Sequence, residues 1–368
     1  MARVLVVNAG SSTVKLSLIG TAEEALWDRE LAAPSAQVDR EQLRDAIEEI
    51  AGEVEVVGHR IVHGGNLFRS AVRIDQEVEE QLRQLGDLAP LHQAKSLAAL
   101  DAVSTALPGI PSFACFDTAF HATLAPEART YALPEAWRTR WPIRRYGFHG
   151  LSHGWVARRA PELLGGDANS RRIISCHLGA GASLCAIQGG RSVATTMGFT
   201  PLEGLVMATR SGDVDPGLLL WLLERGEIDP AEASRVLEHE SGLLGLAGSA
   251  DMREVLARVE AGDARAGLAL GVYLQRLAGG VAAMAAALRG LDVLVFTGGV
   301  GERSARIRAE AAERLGFLGV AVNSTENRRG QRDREITTAE ATVRTLVITA
   351  REDVEIARQV RLAAGLRT

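Results

Sequence analysis

Two copies of one local pattern, set about half a chain apart, constrain this sequence more than any other feature. Arg3–Val7 is a short β-rich run, Asn8-Ala9-Gly10-Ser11-Ser12 is a tight polar turn, and Thr13–Ile19 alternates apolar and polar residues as a half-buried strand does. The pattern returns as Arg172–Leu178, the small-residue turn Gly179-Ala180-Gly181-Ala182, and Ser183–Gln188. Matching strand–turn–strand units this far apart indicate an internal duplication, and therefore two similar α/β domains. The chain length of 368 residues agrees, being too long for one comfortable core and about right for two.

A third unit differs in kind. Leu291–Phe296 is a near-continuous apolar run, as expected of a strand buried on both faces. Thr297-Gly298-Gly299-Val300-Gly301 then reads as a loop leading into a helix over Glu302–Leu315, which would turn backbone N–H groups and a helix N-terminus towards whatever sits there. Asp251–Glu260 and Ala266–Arg289 read as helices, the second apolar enough to be largely buried or to lie at a subunit interface. Val54–Val57 and Thr345–Ile348 read as strands, and Asp353–Ala364 as an amphipathic helix. Gly165-Gly166-Asp167 is only a loop, and no low-complexity linker separates the halves.

Apolar residues make up 46% and charged residues 24% of the chain, a globular composition rather than a disordered one. A net charge of −5 without a sustained basic run argues against nucleic acid as a partner, and the locally basic residues 136–145 read as a solvated surface. Cys115, Cys176 and Cys185 are odd in number and lie in apolar surroundings, as core thiols of a reducing compartment do. The first apolar run is too short for a secretory signal, and no run of ~18 or more uninterrupted apolar residues occurs. The expectation is a soluble, cytoplasmic protein with no membrane partner.

The residues able to carry chemistry lie in polar, glycine-rich segments. Asn8–Thr13 and Gly179–Gly181 are turns whose amides can approach an anion, and Lys15 can point at the same anion. In Met197-Gly198-Phe199-Thr200-Pro201-Leu202-Glu203-Gly204-Leu205, running on to Arg210, the density of Gly, Pro, Thr and charge marks an ordered loop that presents an arginine. Arg60, in Gly58-His59-Arg60-Ile61-Val62-His63-Gly64-Gly65, reads equally as aimed into a cleft or as half of a structural ion pair. Asp117 stands between Phe116 and Phe120, where burial is costly unless it is paired, with Arg60 or Arg210 as the partner. His149 and His153 have the i, i+4 spacing of a metal site but lack the Glu of an HExxH motif, and an imidazole donating to a phosphoryl oxygen is the other reading. Anion-cradling loops, two presented arginines, a carboxylate and a histidine, with no activated Ser or Cys, fit phosphoryl transfer better than hydrolysis by a nucleophilic side chain.

Together these segments resemble the acetate kinase family. NAGSS…K (8–15), GHRIVHGG (58–65), APLH (89–92), FDTAFH (116–121), RRYGFHGxSH (144–153), MGFTPLEG…TRSGDxDPG (197–217), SADMRE (249–254) and FTGGVGE (296–302) occur in family order over almost the whole chain. The resemblance implies an α/β fold of two duplicated actin-like, ribonuclease H-like β-β-β-α-β-α-β-α domains around a central cleft. The expected division is residues 1–147 plus 354–368 for the first domain, and 148–353 for a second that binds nucleotide and forms a homodimer. It implies reversible transfer of a phosphoryl group from ATP to acetate, giving acetyl phosphate and ADP, with Mg²⁺ or Mn²⁺. Arg60 and Arg210 would hold the carboxylate and the transferring group, His149 would donate to that group, and Asp117 would orient the acceptor or an arginine. Asn8 and Glu352 would help to place the metal. Ser11, Thr13 and Lys15 would lie near the phosphates, as would the loop of His177, Gly179, Ala180 and Gly181. Val62, Leu91, Phe148 and Pro201 would enclose the acyl methyl, and Asp251, Met252 and Arg253 with Gly299, Val300 and Gly301 would hold the adenosine.

The chain also departs from the family pattern. Ala180 stands where the family has Asn, Arg303 replaces the Asn after the GGxGE run, and Gln93-Ala94-Lys95 replaces an Asn-Pro-hydrophobic continuation. Ala350-Arg351-Glu352-Asp353 replaces a Thr-Asn-Glu-Glu run, and the segment from about Gly20 to Glu53 is short. These changes crowd around the nucleotide and phosphates and leave the acyl pocket intact. The rival expectations are a kinase for propionate or butyrate and a non-catalytic nucleotide-binding regulator of the same fold.

Overall fold

The computed structural model describes residues 2–10, 13–32, 39–88, 90–165, 171–330 and 333–366. Strands Val4–Ala9 (β1), Thr13–Ile19 (β2), Ala25–Ala32 (β3), Val56–Ile61 (β4), Val72–Arg73 (β5) and Ser112–Phe116 (β6) form a sheet in the order β3-β2-β1-β4-β6-β5. Strands Arg172–Leu178 (β7), Ala182–Gln188 (β8), Arg191–Thr195 (β9), Val293–Thr297 (β10), Arg334–Glu335 (β11) and Arg344–Val347 (β12) form a second, in the order β11-β12-β10-β7-β8-β9. The two orders are one topology. Each begins with an antiparallel meander, continues into two parallel strands, and ends with an antiparallel edge strand. This is the duplication the two strand–turn–strand units imply.

The chain divides into one unit of Met1–Ala122, Phe148–Trp155 and Arg351–Thr368, and another of Thr123–Gly147 and Val156–Ala350. Residues 123–147 thus group with the second unit, against the expected boundary at 147. The reason is local bonding: Thr123 donates to Ser192 O, and the N–H groups of Tyr146 and Gly147 donate to Gly198 O. Residues 148–155 belong to the first unit, where the Gly150 N–H donates to Asp117 O at 2.8 Å and a ring nitrogen of His121 bonds Phe148 O.

In the first unit the strand alternation sorts side chains onto two faces. Leu5, Val7, Leu16, Leu18 and Val57 pack with Leu43 and Ile47 of the Arg40–Glu48 helix and Ala99 and Val103 of the Pro90–Ala106 helix. Val4, Val6, Val56, Phe113 and Cys115 pack with Ile356, Ala357 and Val360 of the Glu352–Ala363 helix. Gly58 lets that helix lie close, since a Cβ there would come within 2.7 Å of methyls on Ile356 and Val360. Arg60 shares the Gly58 face, because side chains two apart on a strand point the same way. It sits inside β4, not after a strand ending at Val57 as the sequence suggested, because the parallel ladder to β6 runs through Val57–Ile61.

In the second unit all five residues of β10 are buried, as their apolar run requires. The Gly298–Gly301 stretch is not a loop: a helix starts at Gly298 and ends at Arg303, and Ser304 caps a separate helix, Ala305–Arg314. Gly298 makes the sharp entry at φ +77°, where a Cβ would meet Leu178 O at 2.9 Å. The Ala264–Leu288 helix, capped by Asp263, is long and apolar enough to cross a membrane by length and composition, but it packs on β7, β8 and β9 with 44% of its apolar window buried. Cys115, Cys176 and Cys185 are free and buried, and burial pushes all three thiols up.

Candidate active site

In the first unit, charge collects at the C-terminal ends of β1, β4 and β6. Asp117 follows β6 directly, and its N–H donates to Ile61 O at the end of β4. Arg60 Nε donates to Asp117 Oδ1 at 3.0 Å and Nη2 donates to Oδ2 at 2.6 Å. Arg60 Nη1 donates to Asn8 Oδ1 at 3.0 Å, and Asn8 Nδ2 donates to Glu352 Oε2 at 2.9 Å. Glu352 Oε2 also lies 3.8 Å from Arg60 Nη1. Of the two sequence readings of Arg60, the ion pair is present, and the guanidinium still keeps N–H donors on Nη1 and Nη2.

Burial alone works against the Arg60 cation, but Asp117 and Glu352 together hold its pKa above the ordinary arginine value. Burial pushes the Asp117 carboxyl up and Glu352 adds to this, while Arg60 and the His149 N–H pull it back. The two-point geometry is that of a carboxylate facing a guanidinium. His149 takes a left-handed backbone, φ +56°, immediately before the Gly150–Leu164 helix. Gly150 is obligatory there, because a Cβ would stand 2.1 Å from Asp117 O. Val62 and Phe148 are buried beside this centre at 4% and 1% exposure, and the His63 ring stacks edge-on against Phe148. Lys15 lies across the β1–β2 pair from Asn8, with its ammonium 3.6 Å from Glu30. Thr13 starts β2 and is half-buried. Ser11 and the Leu91 side chain fall outside the described residues.

In the second unit Arg210 is the counterpart in charge but not in company. Its Nη1 donates to Pro201 O at 3.3 Å and approaches Met207 Sδ at 3.6 Å, and no carboxylate pairs with it among the described residues. Burial lowers the guanidinium, opposed only by the charge of Glu238. An arginine held this way in a dry loop favours an anion. Glycine makes the loop possible: a Cβ on Gly242 would meet Met207 O at 2.3 Å and Arg210 O at 2.7 Å.

The glycine turns of this unit also converge. His177, next to last in β7, pairs with Thr297 at the end of the parallel β10, so Gly179–Gly181 and the Gly298–Arg303 helix leave the sheet at neighbouring strand ends. Ala180 is exposed and its carbonyl accepts from the Ala208 N–H at 3.0 Å.

Residues 35–358 match the Acetokinase family. An acetate kinase from Gloeobacter violaceus is 48% identical over 83% of this chain and 76% of its own length. A crystal structure of Porphyromonas gingivalis acetate kinase covers 99% of this chain and 100% of its own, at a TM-score of 0.90 and 35% identity. A propionate kinase structure from Francisella tularensis covers 98% and 99%, at a TM-score of 0.89 and 33% identity. The chain belongs to the acetokinase family.

Within that family frame, the residues expected to hold adenosine fall into distinct settings. Asp251 caps the Met252–Glu260 helix and is paired with Arg253, whose side chain is 90% exposed. Met252 is in the core at 5% exposure and offers no free side chain, a burial its apolar neighbour Val255 shares. Gly299 is exposed and Val300 half-buried, while Gly301 is buried against β7 and β10. The metal reading of His149 and His153 gains no support, since no cluster of three or more His, Cys, Asp or Glu is found among the described residues.

Sequence reasoning missed two supports. Glu302 Oε1 accepts from the Gly298 N–H at 3.0 Å and the Ala350 N–H at 2.9 Å, tying the glycine helix to the strand-end segment. Arg308, 1% exposed, donates to Gly301 O and Glu302 O, each at 2.8 Å, and to Asn327. Burial and Arg334 lower it to about 10. A buried arginine on an ordinary amphipathic helix leaves no sequence signal. Glu302, inside the GGVGE run, was visible but had no assigned partner.

Proposed function

We propose that this protein is a phosphotransferase acting on a carboxyl group, moving the terminal phosphoryl group of ATP to acetate, reversibly, to give acetyl phosphate and ADP. The observation that carries the reading is the contrast between two arginines: Arg60, fixed by Asp117 and Asn8 with N–H donors to spare, and Arg210, half-buried with no carboxylate partner among the described residues. Two anions must meet in this reaction, and preorganised positive charge lowers that barrier. Acetate is already ionised at neutral pH, so its carboxylate oxygen attacks phosphorus in line and no general base is required. Asp117 holds Arg60 in the orientation that faces the transferring group. His149 donates to that group's oxygens. Val62 and Phe148 exclude water around the methyl.

Glu352 and Asn8 suit Mg²⁺ or Mn²⁺, because a carboxylate held in place by an amide is an oxygen donor, and Mg²⁺ takes its remaining positions from water and phosphates. When bound, the ion neutralises phosphate charge. The turn at Gly179–Gly181, whose Gly179 N–H is taken by Gly181 O, offers the Ala180 N–H to the nucleotide, and Gly299–Gly301 offers further N–H groups, with Asp251 and Arg253 near the adenosine. A coupled assay with acetate, propionate and butyrate tests the reading. Turnover with acetate above the others supports it, and a larger kcat/KM for propionate or butyrate replaces acetate with the longer acid. Nucleotide binding without turnover on any acid would favour the regulator.

The protein is also proposed to be a cytoplasmic homodimer. The Pro216–Glu224 helix, PGLLLWLLE, has no buried residue, and Leu218, Leu220 and Trp221 are 48%, 58% and 52% exposed. An apolar helix of this kind calls for cover by a second copy. Light scattering that gives the mass of a monomer at micromolar concentration would refute it.

A further inference from the structure

We propose that Glu203 is a positioning residue for phosphoryl transfer, acting through the Pro201 carbonyl on Arg210. The proposal rests on the reading of Arg210 given above. Glu203 lies two residues after Pro201, and both of its carboxylate oxygens are engaged. Oε2 accepts from the Tyr131 hydroxyl at 2.5 Å, and Oε1 accepts from Arg145 Nη2. The Tyr131 oxygen in turn accepts from the Phe199 N–H at 2.9 Å. Arg145 Nη1 donates to Thr196 O at 2.9 Å and Met197 O at 3.0 Å, and its guanidinium lies 5.5 Å from the Tyr131 ring centroid. The loop is thus gripped before Gly198 by Arg145, at Phe199 by Tyr131, and after Pro201 by Glu203.

The grip leaves little room for the loop to move. A Cβ on Gly198 would stand 1.7 Å from Glu203 Oε2 and 2.2 Å from the Tyr131 hydroxyl, so the polar atoms of the clamp fill the space a side chain would take. Gly198 O accepts from the N–H groups of Tyr146 and Gly147 at 3.0 and 3.2 Å, and Gly147 immediately precedes Phe148 and His149 in the chain. On the far side the loop is closed by Asp213, whose Oδ1 accepts from the Gly204 N–H at 2.7 Å and whose N–H donates to Gly204 O at 2.9 Å. Between these fixed points lies Pro201 O, the acceptor of Arg210 Nη1. Among the described residues Arg210 has no carboxylate paired with it to orient it, unlike Arg60. Its direction is set by that carbonyl, and the carbonyl by the clamp.

The Glu203 carboxylate accepts from two donors at once and carries the negative charge that Arg145 meets. In Glu203→Gln the amide oxygen accepts from Arg145 without that charge, and the NH₂ reaches the Tyr131 oxygen only by reversing that hydrogen bond and competing with the Phe199 N–H, in a side chain of the same size. Losing a charge-assisted hydrogen bond is expected to reduce kcat by roughly tenfold or more. KM for ATP should stay within about twofold, since the nucleotide turns lie elsewhere. The deciding measurement is a double-mutant cycle with Arg210→Ala. If Glu203 acts through Arg210, Glu203→Gln lowers kcat in the wild-type background and adds little in Arg210→Ala. Tyr131→Phe, which removes one hydroxyl and keeps the Glu203–Arg145 pair, should give a smaller loss with the same non-additivity. It also serves if Glu203→Gln does not fold. Full additivity, or unchanged kcat in a folded Glu203→Gln or Tyr131→Phe variant, overturns the proposal. A wild-type protein with no kinase activity on any short acid would overturn the functional reading instead.

Discussion

Arg60 and Asp117 face each other through two hydrogen bonds, 3.0 Å from Nε to Oδ1 and 2.6 Å from Nη2 to Oδ2, with side chains only 14% and 2% exposed. Removing one partner of so dry a pair strands the other. Asp117→Ala is therefore expected to cost about 3–5 kcal/mol of stability, because Arg60 would remain charged without its main partner.

Arg210 should behave in the opposite way. No carboxylate hydrogen-bonds it among the described residues and only the charge of Glu238 opposes its burial, so Arg210→Ala should change stability by no more than about 1 kcal/mol. Turnover should nevertheless fall by roughly 10²–10³, the loss seen when one preorganised donor is removed. Urea unfolding and steady-state rates on both variants make the comparison. Equal stability losses would show that Arg210 has an ion-pair role in the fold.

His59 supplies a pH test. It is 1% exposed, neither ring nitrogen has a partner among the described residues, and burial lowers its pKa from 6.5 to about 3. His121 is lowered to about 4 for the same reason. The unfolded chain binds these protons and the folded chain does not. This part of the stability is therefore complete above pH 6.5 and is lost as pH falls towards 3, at roughly 1.4 kcal/mol per pH unit for each histidine. His59→Leu should remove its share of that slope in urea midpoints taken between pH 4.5 and 6.5. An unchanged slope would mean that His59 is hydrated or paired in solution.

Much of this was legible in the sequence because the signals were local. The duplicated strand–turn–strand units gave the sheet plan, and Asp117 between aromatics announced a paired carboxylate. What stayed hidden was long-range. Arg145 and Glu203 are 58 positions apart, and neither is unusual in its own segment. The strand was ended at Val57, before Gly58 and His59, yet both of these are paired on each side by parallel neighbours, which carries β4 on through Arg60. Gly298–Gly301 reads as a loop because local propensity disfavours glycine in a helix, but close packing of Gly298 against Leu178 requires it.

In the proposed reaction Val62 and Phe148, which have almost no exposed surface, would set acid size. One added methylene changes discrimination by about 1–3 kcal/mol, or roughly 10–200-fold, so propionate should be a poorer but detectable substrate. Val62→Ala should narrow the gap between the two acids without altering KM for ATP. A variant that lost acetate and propionate turnover equally would place Val62 in the scaffold only.

In the proposed function the chain's departures fall on the nucleotide side, and Arg303 is proposed to answer for Ala180. There Ala180 would offer the phosphates only its backbone N–H, where an asparagine would add a side-chain amide. Arg303 ends the Gly298–Arg303 helix and is exposed, so its guanidinium is available to solvent and to an anion. A hydrogen bond to a charged group contributes about 1.5–3 kcal/mol. Arg303→Ala should therefore raise KM for ATP by about tenfold, the lower end of that range, while KM for acetate barely moves. Ala180→Asn in the Arg303→Ala background should restore part of the loss, since it returns a donor to the turn at the end of β7. Unchanged ATP kinetics in Arg303→Ala would make the arginine an ordinary surface residue. The donor site would then rely on the backbone amides of its two glycine turns, or would take a phosphoryl donor other than ATP.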